Sequence, residues 1–175
     1  MASSLTGIPV LLRRVDRIAA GRRQRDLRAP AGLVEDPAAR RALRTICWIL
    51  GAEIVIGATA LVITLMDLLG GVHDHPAVWL RGLVVLGLTV SLGYFVHRAG
   101  EGWYWAYLRI RLFAWIFPLV TLATAALPGL YPAWMVVEQV VFAALMIGIA
   151  VLTSSAPLRT AFAAATLRTA DPYEP

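Results

Sequence analysis

Three ionisable residues interrupt apolar stretches of this 175-residue sequence: Glu53, Arg81 and Glu138, the last of which is followed by Gln139. Glu53 is the only charged residue in the segment CWILGAEIVIGATALVITLM, which covers residues 47–66. A charged side chain in a long apolar segment is costly, and it is retained mainly where it pairs, binds an ion or carries a proton. These polar residues are therefore the first candidates for chemistry.

Four apolar blocks position these residues, at about 45–66, 77–96, 108–127 and 133–153. Each is close to the ~20 residues with which an α-helix crosses ~30 Å of hydrocarbon. The backbone must satisfy its own hydrogen bonds in that environment, which favours helices. Hydrophobic residues make up 59% of the chain and the mean hydropathy is +0.70. The sequence therefore predicts an all-α fold, a four-transmembrane-helix antiparallel bundle.

The distribution of arginines predicts how the chain is oriented. All 16 basic residues are Arg: ten precede the first block, three lie between the second and third, two follow the fourth, and only Arg81 lies on the other side. This positive-inside bias predicts that both termini are cytoplasmic. The Arg-only, Ala-rich composition is typical of GC-rich bacterial genomes, so the predicted location is the bacterial cytoplasmic (inner) membrane. The predicted divisions are a cytoplasmic basic arm and linker over 1–44, a transmembrane domain over 45–153 and a cytoplasmic tail over 154–175.

The N-terminal arm combines apolar and basic residues at helical spacing. Its apolar positions follow the i, i+3, i+4, i+7 pattern from Ile8 to Ile18, and arginines occupy much of the remaining surface and the segment that follows. These basic residues are Arg13, Arg14, Arg17, Arg22 and Arg23. The pattern predicts a basic amphipathic helix at the membrane interface, with anionic lipid as its partner. A solvated basic tail that only sets the topology is the alternative. Nucleic acid is not an expected partner, because aromatic residues are absent from the arm and topology accounts for its charge.

Arg81 and Glu138 occupy matching depths in the predicted membrane domain. Each lies four or five residues inside its block, or ~6–8 Å below the outer interface at ~1.5 Å per residue. Opposite charges at one depth can pair, and an unpaired charge there is expensive. We therefore predict an Arg81–Glu138 ion pair or a shared water cavity. Its role is either a clamp between helices or the entrance of a polar pathway.

Glu53 has no such obvious partner. The nearest polar residues at the depth of Glu53 are Thr89 and Ser91. In an alternative arrangement Arg109 and Arg111, at the start of the third block, reach toward Glu53. Three interpretations remain open. The Glu53 side chain is a neutral acid that hydrogen-bonds across helices, or it carries protons or binds a cation, or it contacts a partner subunit.

Two loops and several small residues complete the expectations. His73, Asp74 and His75 are weak candidates for metal ligands in a loop expected to be solvated, and we predict neither a metal nor another cofactor. The aromatic residues Trp103, Tyr104, Trp105 and Tyr107 are expected at the cytoplasmic interface. Small residues spaced by four, at Gly87 and Ser91 and at Ala144 and Gly148, predict close helix packing.

The chain contains no GxSxG, HExxH, P-loop, CxxC or GxGxxG motif, so we do not predict an enzyme. The favoured function is a non-enzymatic accessory or scaffolding subunit that packs against a partner membrane protein or a second copy of itself. The alternative is a small proton- or cation-coupled transporter that uses an intramembrane glutamate. A membrane-embedded enzyme that uses the His73–His75 loop is the third interpretation.

Overall fold

The computed structural model describes residues 27–30, 32, 35–71 and 76–167, without the side chains of 165–167. These residues form five helices and no strand: α1 (Pro37–Leu69), α2 (Pro76–Gly100), α3 (Tyr104–Ala125), α4 (Ala133–Thr153) and α5 (Ala156–Leu167). The first four are long and apolar enough to cross a membrane. The predicted basic helix with its five arginines, and the loop from His73 to His75, lie outside the described residues.

Proline and glycine set most of the helix boundaries. Pro37 and Pro76 are the first residues of α1 and α2, where the missing N–H costs no helical hydrogen bond. Positive φ angles are found in the connections, at Gly71 (84°), Gly102 (87°) and Gly129 (74°). Residues with a Cβ rarely adopt this backbone conformation, so these glycines allow the chain to turn between successive helices.

Two helices begin earlier than the apolar blocks predict. α1 begins at residue 37 instead of 45 and α3 begins at residue 104 instead of 108. At ~1.5 Å per residue the 33 residues of α1 measure ~50 Å, well beyond ~30 Å of hydrocarbon. The extra turns of α1 carry Arg40, Arg41 and Arg44, whose charge had ended the apolar block. A block of apolar residues therefore marks the part of a helix suited to lipid, not the whole helix.

The helices pack as a continuous set of neighbours. α1 contacts α2 and α4, and α3 contacts α2 and α4. The end where α2 stops and α3 starts carries Arg98, Arg109 and Arg111, and we call it the Arg-rich end. The opposite end contains the 126–132 connection between α3 and α4, and we call it the turn end. α5 packs against α1, α3 and α4 at the Arg-rich end.

An apolar cluster fills the interior toward the Arg-rich end. Its large members, which define the cluster below, are Leu43, Ile46, Leu50, Val85, Leu92, Val96, Trp105, Ile110, Phe142, Met146, Ile149, Leu158 and Phe162. Tyr107 belongs to the same core, stacks on Phe162 with ring centroids 4.4 Å apart, and donates a hydrogen bond to the carbonyl of Thr153. The expectation that Trp105 and Tyr107 lie at the membrane interface is therefore wrong, because Phe162 of α5 covers Tyr107 and Phe95 of α2 packs edge-on against the Trp105 ring.

Helices α1 and α2 approach each other closely at Gly82. A Cβ atom built on Gly82 would lie 2.6 Å from Cδ2 of Leu61, which is too close for an unmoved neighbour. The prediction of close packing at Gly87 and Ser91 is wrong, since both are exposed and a Cβ on Gly87 would have no heavy atom within 4 Å. Spacing by four identified small residues but did not identify the helix face that they occupy.

Candidate functional site

Arg81 of α2 and Glu138 of α4 form an ion pair near the turn end. Nη1 of Arg81 lies 2.7 Å from Oε2 of Glu138, and each side chain is only 9% exposed. The contact agrees with the pairing that matched depths predict. No hydrogen bond accompanies the ion pair at Oε2 of Glu138, and Nη2 of Arg81 has no hydrogen-bond partner among the described residues. The Arg81 guanidinium also lies 5.9 Å from the ring centre of Tyr131, in the turn between α3 and α4.

Gln139 extends this polar cluster into the interior. Its side chain is completely buried, and its Oε1 lies 3.4 Å from the hydroxyl of Thr124 on α3, which also donates at 2.9 Å to the carbonyl of Thr121. The amide nitrogen of Gln139 has no partner in the described part of the chain. Thr121, one turn from Thr124, is also buried. The two threonines were not among the sequence candidates, although their depth in the third block matches that of Gln139.

Glu53 lies at the midpoint of α1 and faces the interior. It is 2% exposed, and neither carboxyl oxygen has a hydrogen-bond partner among the described residues. Its carboxyl group is near enough to that of Glu138 for the two charges to interact through space. Leu50, one turn away toward the Arg-rich end, already belongs to the apolar cluster. Glu53 therefore lies where the polar residues of the turn end meet the apolar cluster.

The expected alternative partners of Glu53 are engaged elsewhere. The hydroxyls of Thr89 and Ser91 donate to carbonyls of their own helix, at Val85 and Gly87. Arg111 is exposed at the Arg-rich end, where its charge acts on Tyr107. Glu53 thus remains a buried acid whose hydrogen bonds must come from water, a ligand or its own proton, because an unsatisfied buried carboxyl group is costly.

The charges of the polar cluster limit what it can bind. With both acids ionised, Glu53, Glu138 and Arg81 carry a net charge of −1. One proton or one monovalent cation neutralises this charge in a low-dielectric interior, where an uncompensated charge is strongly disfavoured. No group of three or more His, Cys, Asp and Glu side chains is close enough to hold a metal ion within the described ranges. The geometry therefore fits a single positive charge.

A groove of about 260 Å³ lies on the outer surface between α1 and α4, beside Glu138. Its other walls come from Ile56, Ile63 and Trp134, with Thr59 whose hydroxyl bonds to its own helix. Because its walls are almost entirely apolar, the groove suits hydrocarbon chains and adds no polar partner for the carboxylates.

A second charged cluster lies at the Arg-rich end. The guanidinium of Arg28 stacks on Trp103 at 3.8 Å from the ring centre, and the backbone N–H of Ala29 donates to the carbonyl of Gly102. Glu101 accepts from Arg98 at 2.7 Å and from the Trp103 indole at 3.1 Å. These contacts, led by the Arg98 hydrogen bond, lower the pKa of the Glu101 carboxyl group. The cluster therefore ties the segment 27–30 to the α2–α3 connection.

The four long apolar helices and their buried charges define a candidate multi-pass membrane protein. The sequence matches no protein-family model, and no curated protein or solved structure is significantly similar to it. Its function is therefore argued from the site itself.

Proposed function

We propose that this chain is a small polytopic protein of the bacterial cytoplasmic membrane that binds and transfers a proton or one monovalent cation at Glu53. In this proposal α1–α4 form an antiparallel transmembrane bundle, both termini are cytoplasmic, and the arm over 1–44 rests on anionic lipid. The observation that carries the proposal is the burial of Glu53, whose two carboxyl oxygens have no hydrogen-bond partner in the described chain.

The ion pair of Arg81 and Glu138 supports this function through its charge. Because Arg81 neutralises Glu138, Glu53 is the acid left to bind the positive charge that the cluster requires. A side chain that gains and loses one proton or cation can couple this movement to that of a solute. The proposed class is therefore a proton- or cation-coupled transporter.

Infrared spectroscopy of the protein in lipid nanodiscs tests the binding step. A protonated carboxyl group has a C=O stretching band, and the band that is lost in Glu53→Gln belongs to Glu53. We expect this band to decrease as pH rises or, at constant pH, as Na⁺ or K⁺ is added. Glu101→Gln is the matched control, because the same change at an exposed loop residue should leave the band in place.

Transport is tested in proteoliposomes that contain a pH-sensitive dye. An imposed pH gradient should produce proton flux with the wild type and with Glu101→Gln, and only the leak of protein-free liposomes with Glu53→Gln. A Glu53 band insensitive to pH, Na⁺ and K⁺, or wild-type flux in Glu53→Gln, would falsify the proposal.

A second candidate function is the accessory or scaffolding subunit of a membrane complex. It is favoured by the Arg-rich end, where α5 packs against α1, α3 and α4 and the backbone of residues 27–30 pairs with the α2–α3 connection. An end of the bundle ordered by these contacts suits a stable contact with another protein. The test is purification from the native host in a mild detergent, followed by mass spectrometry. A partner in constant stoichiometry would favour this candidate, and a lone monomer or homo-oligomer would count against it.

A further inference from the structure

Most of the buried polar atoms without a hydrogen-bond partner lie beside Glu53 or toward the turn end, and two more in the described chain, the hydroxyls of Ser154 and Ser155, lie at the far Arg-rich end beyond the apolar cluster. Five buried side-chain atoms near Glu53 or toward the turn end have no hydrogen-bond partner among the described residues: both carboxyl oxygens of Glu53, Nη2 of Arg81, Oε2 of Glu138 and Nε2 of Gln139. Buried polar atoms are normally satisfied by protein or by ordered water. Since these atoms lie along one stretch of the interior, water that satisfies them would connect the turn end to Glu53.

The opposite side of Glu53 is closed by hydrocarbon. On this side the apolar cluster contains Leu50, Ile46, Leu92 and Met146 and continues toward α5, while Val85 and Phe142 of the same cluster lie on the turn-end side of Glu53. Met146 and Ile46 are completely buried, and the stack of Tyr107 on Phe162 covers the end of the cluster. A charge or a chain of water molecules has no polar atom to follow through such a region.

We infer that in the conformation described here Glu53 exchanges its proton or cation with the turn end only, and that Gln139 positions the water along this one-sided route. The inference rests on the proposed binding function of Glu53. Gln139 suits the role because it is completely buried, contacts Thr124 of α3, and leaves its amide nitrogen available to water. An amide group offers both a donor and an acceptor without a net charge, so it can pass a proton through water without trapping it.

Few ionisable or polar side chains face this route in the described chain. α4 contributes Glu138, and α2 contributes Arg81 through its pair with Glu138. The buried face of α3 contributes the hydroxyls of Thr121 and, at the Arg-rich end, Tyr107. Apart from Glu53, the buried face of α1 contains no ionisable residue toward the interior. A pH response of Glu53 is therefore to be compared with the responses of Glu138 and Tyr107.

Sealed membrane vesicles of known orientation test the inference. The orientation is assigned by protease access to a C-terminal tag, and the external pH is then changed rapidly while the infrared band of Glu53 is followed. We expect a prompt response when the turn end faces outward. When the Arg-rich end faces outward, the response should be delayed until the internal pH has changed.

Variants of Gln139 identify the route. Gln139→Leu has a similar volume but no polar atoms, and we expect it to slow the prompt response by about tenfold, the factor that corresponds to ~1.4 kcal/mol in a barrier. Gln139→Asn, which keeps the amide group, should restore much of the rate. Met146→Leu is the matched control in the apolar cluster and should leave the rate unchanged, because it conserves volume and polarity.

The outcomes separate this inference from the proposed function. Equal responses in both orientations, a prompt response from the Arg-rich end, or a wild-type rate in Gln139→Leu overturn the one-sided route while leaving binding at Glu53 intact. A Glu53 band that never responds to pH overturns both. A Gln139→Leu protein that loses the band entirely, rather than slowing its response, also contradicts the assigned role.

Discussion

Arg81 and Glu138 are the residues whose individual contributions can be tested most directly. Their charged groups are 2.7 Å apart and nearly buried, so each compensates for the cost of burying the other. A buried ion pair adds little compared with well-packed apolar residues, but removal of one partner leaves an uncompensated charge. We therefore expect replacements of the two residues to be strongly coupled, and the intact pair to contribute little to the free energy of unfolding.

We predict that Arg81→Met lowers the free energy of unfolding by about 3–5 kcal/mol, because it leaves Glu138 buried without its partner. The double variant Arg81→Met, Glu138→Met should recover most of this loss. Thermal unfolding in detergent measures both effects. Arg159→Met is the control, since Arg159 is exposed on α5 and its replacement should change stability by less than ~0.5 kcal/mol. Wild-type stability in Arg81→Met would show that Glu138 does not depend on the pair.

The contact between α1 and α2 at Gly82 allows a separate prediction about how these two helices pack. Gly82→Ala would place a methyl group 2.6 Å from Cδ2 of Leu61, so the leucine side chain must move. We expect a loss of about 1–3 kcal/mol, which is typical of overpacking. In Leu61→Ala the space is free, and Gly82→Ala should then cost much less. A double-mutant cycle of thermal stability measures the difference between the cost of Gly82→Ala in the wild type and its cost in Leu61→Ala.

Gly87→Ala is the control on the same helix. Gly87 is exposed and its Cβ would contact nothing within 4 Å, so the alanine adds helix propensity worth up to ~1 kcal/mol in water without a clash. If Gly87→Ala lost as much stability as Gly82→Ala, the assignment of the close approach to Gly82 would be contradicted.

Long apolar blocks made the four long helices predictable, and α4 agrees with its predicted range, 133–153. The matched depths of Arg81 and Glu138 made their contact predictable for the same reason, since depth follows from counting along each helix. The burial of Trp105 and Tyr107 could not be predicted in this way, because it depends on tertiary packing, of Phe162 of α5 against Tyr107 and of Phe95 of α2 against Trp105. Helix rotation also requires tertiary packing, which is why Gly82 rather than Gly87 marks the close contact between helices.

The proposed orientation belongs to the whole molecule and follows from the summed charge of its two ends. We predict that a green fluorescent protein fused after Pro175 is fluorescent in cells, because the proposed orientation retains the Arg-rich end in the cytoplasm. A periplasmic alkaline phosphatase inserted in the turn at Gly129 should be active on the other side. The reverse result, with active phosphatase at the C-terminus and none at Gly129, would reject the proposed orientation.

The division of the interior between a polar cluster and an apolar cluster also determines where an electric field would act. A membrane voltage falls mainly across its least polarisable layer, which in the proposed state is the packed hydrocarbon between Glu53 and the Arg-rich end. A cation that reaches Glu53 from the turn end would then cross little of the voltage. Its later passage past Leu50 and Met146 would cross most of it, at up to ~2.3 kcal/mol per charge for each 100 mV. The resting potential would thus leave binding almost unchanged and drive the single step that carries the charge inward.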